Sequence, residues 1–346
     1  MDVNYIISAA ADLGSSDIHL SFGQPPKIRI DGDLTDMPGQ APLTDEDCEE
    51  MARQLMGCDM PAKGEKDLSM QVGVHRIRAN VYRQMGHVSA ALRILADNIP
   101  KLEVLGLPEA VNAFPTYNKG IVLVTGETGS GKSTTLAAIL DRINETRKEH
   151  IITLEDPVEY IHQSKQCLVD QRNVGEDTES YADGLRAILR EDPDVILIGE
   201  MRDLVTIETA LTAAETGHLV FATLHTNSAA DSIDRIVDAF PAERQKQIRM
   251  QLSTSLMAVL SQQLLRKKGG GRAAACECMV VNPAIRNLIR EGKTPQIANA
   301  LATSANIGSI TMDNAIIKLF KERKIDADTA RAAAIDPDYV KKNTLY

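Results

Sequence analysis

Between Gly126 and Ser133 the chain reads Gly-Glu-Thr-Gly-Ser-Gly-Lys-Ser, which fits the phosphate-binding pattern G-x-x-x-x-G-K-[ST] at every fixed position. The residue types suit a polyphosphate. Glycines let the backbone curl and turn its N–H groups inward, and a following helix N-terminus adds partial positive charge. The candidate cradle is Gly126, Thr128, Gly129, Ser130, Gly131, Lys132, Ser133 and Thr134. In it Lys132 would reach the β- and γ-phosphates, and the Ser133 hydroxyl would bind Mg²⁺. The flanks support this. Ile121 to Val124 is a short β-branched run that predicts a buried strand. Thr134 to Arg147 predicts a helix with Leu136, Ile139, Leu140 and Ile143 on one face. The ligand expected is a nucleoside triphosphate.

A cradle binds without cleaving. Hydrolysis needs a group that positions or deprotonates water, and acidic help for the metal. Two acidic clusters follow apolar strands: Glu155, Asp156 and Glu159 after 151–154, and Glu200 and Asp203 after 195–198. The second is taken as the Mg²⁺-side cluster, because it ends what reads as the longer apolar strand. Glu159 is preferred as the water-activating base by a modest margin over Glu155, since Pro157 breaks the strand and would swing Glu159 toward the open edge. His218 and His225 bracket a further strand, 219–224. Strand direction puts only His225 near the phosphates, where it could sense the γ-phosphate.

The elements that must position these groups alternate strand and helix from Tyr117 onward, which predicts a mostly parallel sheet covered on both faces, with ligand at the C-terminal strand ends. Residues 1–98 predict a separate α+β domain. It has a helix over 3–13, strands over 17–21 and 27–30, a turn at Asp31-Gly32, and a capped helix opening at Thr44. Val74 to Tyr82 alternates, with Arg76 and Arg78 on the polar side, and a partner strand over 89–95 carries Arg93. These arginines form either a solvated face or a set of phosphate contacts at a domain or subunit boundary. Residues 99–116 predict a linker, and 117–346 the catalytic domain. Beyond Ala239 the pattern predicts mainly helix, including 250–265, with a returning strand over 273–281 that buries Cys276 and Cys278 as core thiols.

The formal net charge is −10 and aromatic residues are 3% of the chain. Both argue against nucleic acid as partner, since strand tracking favours a basic groove and stacking platforms. No apolar run approaches the roughly 18 residues of a membrane span. Residues 1–14 lack the pattern of a signal peptide. A cytosolic location is expected.

The phosphate loop, the boxes Glu155-Asp156-Pro157-Val158-Glu159 and Gly199-Glu200-Met201-Arg202-Asp203, and the His218/His225 box stand in an order that resembles the secretion ATPase superfamily. Ser16 to Leu20 and Pro26 to Gly32 are similar to that family's N-terminal domain. Ala284 to Lys293 looks like its pilus-retraction branch. The resemblance implies an α/β fold with a RecA-like P-loop NTPase core and a smaller N-terminal PAS-like α+β domain. It implies an ATP- and Mg²⁺-dependent homohexameric motor for type IV pilus retraction. The motor would act on an inner-membrane platform protein and reach the cytoplasmic face of that membrane only through it. It implies Glu159 as base, Glu200 on the Mg²⁺ side, and His225 at the γ-phosphate. Glu155, Asp156, His218, Arg76, Arg78 and Arg93 join the nucleotide site. A pilus-extension or type II secretion ATPase is the alternative. Relatives of that kind usually carry a longer N-terminal region and a four-cysteine metal motif. Glu127 departs from the family, where proline is frequent.

Overall fold

The computed structural model describes residues 2–73, 75–95 and 98–344. They divide into two compact units, Met1–Asn98 and Ile99–Tyr346. Val74, where the alternating strand was expected to begin, lies outside the described residues.

In the first unit the order is α1 (Val3–Asp12), β1 (Asp17–Leu20), β2 (Lys27–Ile30), β3 (Asp33–Asp36), α2 (Asp45–Met56), β4 (Glu65–Val72), β5 (His75–Gln84) and β6 (His87–Leu95). The described residues form a six-stranded antiparallel sheet in the order β3-β2-β1-β6-β5-β4. Thr44 and Asp47 close a reciprocal capping box that starts α2. Ile6, Ile7, Met51 and Leu55 of the helices pack on Ile18, Ile77, Ala79, Val81 and Leu92 of the sheet. The two-residue period of β5 sends Ile77 and Ala79 into that core and leaves Arg78 exposed.

The second unit opens with 3₁₀ turns over Leu102–Leu105 and Glu109–Thr116. It continues β7 (Gly120–Thr125), α3 (Lys132–Thr146), β8 (His150–Glu155), β9 (Leu168–Asn173), α4 (Tyr181–Ile188), β10 (Val195–Ile198), α5 (Leu204–Glu215), β11 (Leu219–Leu224) and α6 (Ala229–Asp238). Then come α7 (Ala242–Ser255), β12 (Leu256–Arg266), β13 (Arg272–Val280), α8 (Pro283–Glu291), α9 (Ile297–Ala302), α10 (Met312–Lys321), α11 (Ala327–Ala333) and α12 (Pro337–Asn343). The described residues form a seven-stranded sheet, β13-β12-β7-β11-β10-β8-β9, with β13 antiparallel at one edge and every other neighbouring pair parallel. Alternate strand residues enter two cores. Ile121, Leu123, Ile152, Ile196 and Val220 pack among α4 to α8. Val122, Val124, Ile151, Leu197 and Phe221 pack under α3. Strands covered on both faces read as unbroken apolar runs.

Two expectations fail. Residues 250–265 are not one helix: α7 ends at Ser255, and Leu256–Arg266 is an 11-residue strand between β7 and β13. Its apolar residues match helical spacing, but a strand buried on both faces is apolar at every position, and periodicity does not separate the two. The strand before Glu200 is also the shorter one, with 4 residues in β10 against 6 in β8.

Candidate active site

Parallel pairing puts the C-terminal ends of β7, β11, β10 and β8 side by side in that order. The loop 126–131 leaves β7, His225 to Asn227 leave β11, Gly199 to Asp203 leave β10, and Glu155 to His162 leave β8. Neighbouring strands lie about 4.8 Å apart, so four loops distant in sequence share one edge.

The phosphate loop is built as its glycines predict. Gly126 has φ 139° and Gly131 φ 92°. A Cβ on Gly126 would lie 2.3 Å from the Gln262 carbonyl and 2.6 Å from Ser130 Oγ, so only glycine fits. Helix α3 begins at Lys132, earlier than expected, so the Lys132 and Ser133 amides belong to its first turn. Lys132 Nζ donates to Gly126 O at 2.7 Å and Glu127 O at 2.9 Å. Burial lowers its pKa, while the charges of Glu200 and Glu159 work to raise it. Those two carboxylates therefore act on the lysine that would hold the phosphates.

Glu200 is half-buried between Arg202 and His225: Arg202 Nη2 is 2.7 Å from Oε2, and His225 Nε2 is 3.5 Å from Oε1. Burial pushes its pKa up, but the hydrogen bonds and charge of Arg202 and His225 outweigh burial and hold it below the usual value. Glu155 has the opposite balance. Burial raises its pKa, even though it accepts from Thr153 Oγ1 at 2.7 Å, Gln171 Nε2 at 3.4 Å and the Glu159 amide at 3.4 Å. The Glu159 side chain is exposed. Asp156 is exposed and precedes the cis bond to Pro157. Ser133, Glu155, Tyr160, His162, Gly199 and Thr223 border a small cavity of about 40 Å³ beside the loop. The His162 ring is buried there, and its Nδ1 has no hydrogen-bond partner among the described residues. Tyr160 Oη bonds Thr134 Oγ1 at 2.9 Å.

His218 is not brought to this edge. It stands at the start of β11, at the opposite end of the sheet, where its Nδ1 lies 3.0 Å from Ala213 O. Arg76, Arg78 and Arg93 belong to the first unit. There Arg78 and Arg93 are direct cross-strand partners, and Arg93 Nε also bonds Asp17 Oδ1 at 2.8 Å. Like charges placed opposite each other cost stability, and the Asp17 carboxylate offsets that cost at Arg93. Burial raises the Asp17 carboxyl, but its bonds to Ser16 and Arg93 prevail and hold it below the usual value.

Sequence reasoning missed Gln262, whose Nε2 donates to Ser130 O at 2.8 Å beneath the loop. It lies in the strand misread as helix, which hid it. Its Oε1 and Ser130 Oγ are buried without hydrogen-bond partners among the described residues. A cavity of about 440 Å³ adjoins the outer side of the loop, lined by Glu127 to Ser130 and by Arg272, Met312, Ala333 and Ile335 among others. No contiguous motif announces it.

A strand, glycine loop and helix at the ligand edge of a parallel sheet, with carboxylates on the next strand ends, define a P-loop nucleoside triphosphatase. Comparison with known proteins narrows this. Residues 2–314 match the family model described as type II/IV secretion system protein. The chain is 47% identical over 344 residues to the type IV pilus retractation ATPase PilT of Pseudomonas aeruginosa, covering 98% of this chain and 99% of that one. It is 44% identical over 315 residues to a twitching motility protein of Neisseria gonorrhoeae, covering 89% and 84%. A crystal structure of the pilus retraction motor PilT with bound ADP superposes with a TM-score of 0.88 at 47% identity, over 99% of both chains. The chain belongs to the type II/IV secretion system protein family. Its fold is a RecA-like P-loop core with a smaller PAS-like α+β unit. Among the described residues no helix is long and apolar enough to cross a membrane.

Proposed function

We propose that this chain is an ATPase motor that powers type IV pilus retraction. The observation that carries the reading is the meeting, at one sheet edge, of the phosphate loop with the segments that bear Glu159, Glu200 and His225, where His225 Nε2 lies 3.5 Å from Glu200 Oε1. Likeness to PilT over the whole chain supports the pilus as the object of the work.

In this mechanism the loop amides and Lys132 hold the β- and γ-phosphates. Ser133 and Glu200 are the residues that would hold Mg²⁺. The donor set fits that ion: a hydroxyl and a carboxylate are hard oxygen ligands. Mg²⁺ generally keeps waters and substrate phosphates as its other ligands. When bound, it would neutralise charge on the phosphate oxygens. Glu159 takes a proton from the attacking water. Arg202 and His225 keep Glu200 ionised, and His225 donates to the γ-phosphate. The cavity beside Glu127 to Ser130 takes the nucleoside. The guanidinium forks of Arg76, Arg78 and Arg93 suit phosphate oxygens, and the active form is a homohexamer. The ring works on a platform protein at the cytoplasmic face of the inner membrane.

Glu159→Gln is expected to keep ATP binding and stop hydrolysis, measured by nucleotide titration beside steady-state turnover. Normal turnover would remove Glu159 from the role of base. A deletion strain tests the object of the work. Loss of a retraction motor leaves surface pili present and often in excess, whereas bald cells would mark an extension motor.

A further inference from the structure

We propose that Gln171 and Asn173, on β9, are positioning residues for Glu159. This rests on Glu159 being the base. Residues 156–162 form neither helix nor strand, so no regular hydrogen-bond ladder decides where Glu159 points. Side chains do it instead. Asn173 Oδ1 accepts the Val158 amide at 2.8 Å. Gln171 Nε2 donates to Tyr160 O at 2.8 Å, and its Oε1 accepts the His162 amide at 2.7 Å. The bonded positions are 158, 160 and 162, immediately around the base. The Glu159 amide itself reaches Glu155 Oε2 at 3.4 Å, and Gln171 Nε2 also touches Glu155 Oε1 at 3.4 Å.

The register explains how one strand does this. Gln171 pairs with Thr153 and Asn173 with Glu155 across the parallel β8–β9 ladder. Residues two apart share a face, so Thr153, Glu155, Gln171 and Asn173 form one polar platform beneath the loop. Thr153 Oγ1 fixes Glu155 at 2.7 Å. Asn173 is fixed in turn, its Nδ2 on Glu176 Oε2 at 3.0 Å and its amide on Asp177 Oδ2 at 2.7 Å. Buried Val158 is the apolar pin. A side-chain amide offers donor and acceptor together, so Gln171 alone satisfies a carbonyl and an N–H two residues apart.

The test uses the full-length protein. Gln171→Glu keeps the shape and the acceptor for His162, removes the donor for Tyr160, and sets a carboxylate against Glu155. Asn173→Ser withdraws the acceptor from Val158. Each is expected to lower kcat about 10- to 100-fold, the scale of a misplacement near 1 Å, with KM and nucleotide affinity within about twofold of wild type. Amide exchange over 158–162 should quicken in both. Neither change should lower turnover further in a Glu159→Gln background. A Gln171→Glu protein with wild-type kcat and wild-type exchange over 158–162 overturns the proposal. So does a fall in kcat matched by an equal loss of nucleotide affinity, which would mark general damage. Normal turnover by Glu159→Gln alone would instead overturn the base assignment, a separate result.

Discussion

Gly199 joins the two acidic strand ends, and an added methyl there should disturb both. Its amide donates to Leu154 O at 2.7 Å, and its carbonyl accepts from Thr223 Oγ1. A Cβ in Gly199→Ala would lie 2.9 Å from Tyr181 Oη, 3.1 Å from Leu154 O and 3.2 Å from Glu155 Cα. Backbone conformation is no obstacle, so the cost is overpacking, about 1–3 kcal/mol. For a unit of this size that is a fall in Tm of about 2–12 °C. Restoring ordinary contact distances moves the β8 and β10 ends apart by a few tenths of an ångström, and Glu200 is the next residue. If about 1 Å of misplacement costs a hundredfold, a shift of that size costs roughly 3- to 10-fold in kcat. Thermal unfolding and steady-state ATP turnover of the full chain read both effects. Tyr181→Phe removes the nearest contact, so the double variant should recover part of both losses while the backbone contacts keep the rest. A Gly199→Ala protein with wild-type Tm and turnover would refute the close-approach argument. An equal loss with Phe at 181 would show that the hydroxyl is not the obstacle.

Lys132→Ala should weaken nucleotide binding by about a hundredfold or more, because it removes the charge-assisted bonds to phosphate; affinity within about threefold of wild type in a fluorescent-nucleotide titration would contradict this. His162 supplies a pH prediction. Burial lowers its pKa to about 4 from 6.5, so the unfolded chain takes up the proton first as pH falls, and this contribution to stability is lost between those values, roughly 3 kcal/mol in all. Denaturant melts of wild type and His162→Gln from pH 7 to pH 4 should diverge on that slope, and parallel curves would deny the buried neutral ring. Glu277, buried on β13, accepts from the Ala229 amide at 2.9 Å and from the Met312 backbone, at the first residues of α6 and α10. Glu277→Leu should cost about 2–4 kcal/mol for two stranded amides; an unchanged denaturation midpoint would show that they find other partners.

Much of the fold was legible because each element carries its own signal. The runs at 121–124, 151–154, 195–198 and 219–224 form strands because both sheet faces bury them. Thr44 and Asn282 start helices where their side chains cap amides. Legibility failed at Leu256–Arg266, where strand and helix share one apolar pattern. It failed in the loop from Glu155 to Leu168, whose course depends on Asn144, Gln171 and Asn173. Asn144 alone bonds the Gln163 carbonyl and the Lys165 amide from α3. No local pattern reveals a loop held by side chains from elsewhere in the chain.

From the residues alone came the phosphate loop, the two acidic boxes and the place of His225 at a strand end, because each is written in consecutive residues whose backbone and side-chain chemistry is local. Tertiary structure decided the rest. Parallel pairing in the order β7-β11-β10-β8 brought four separate segments to one sheet edge. It sent His218 to the far end of its strand, set Arg202 and His225 around Glu200, and slid Gln262 under the loop. Strand order and register come from packing two apolar faces across the whole sheet. That is a property of all the strands together, and no single stretch of sequence carries it.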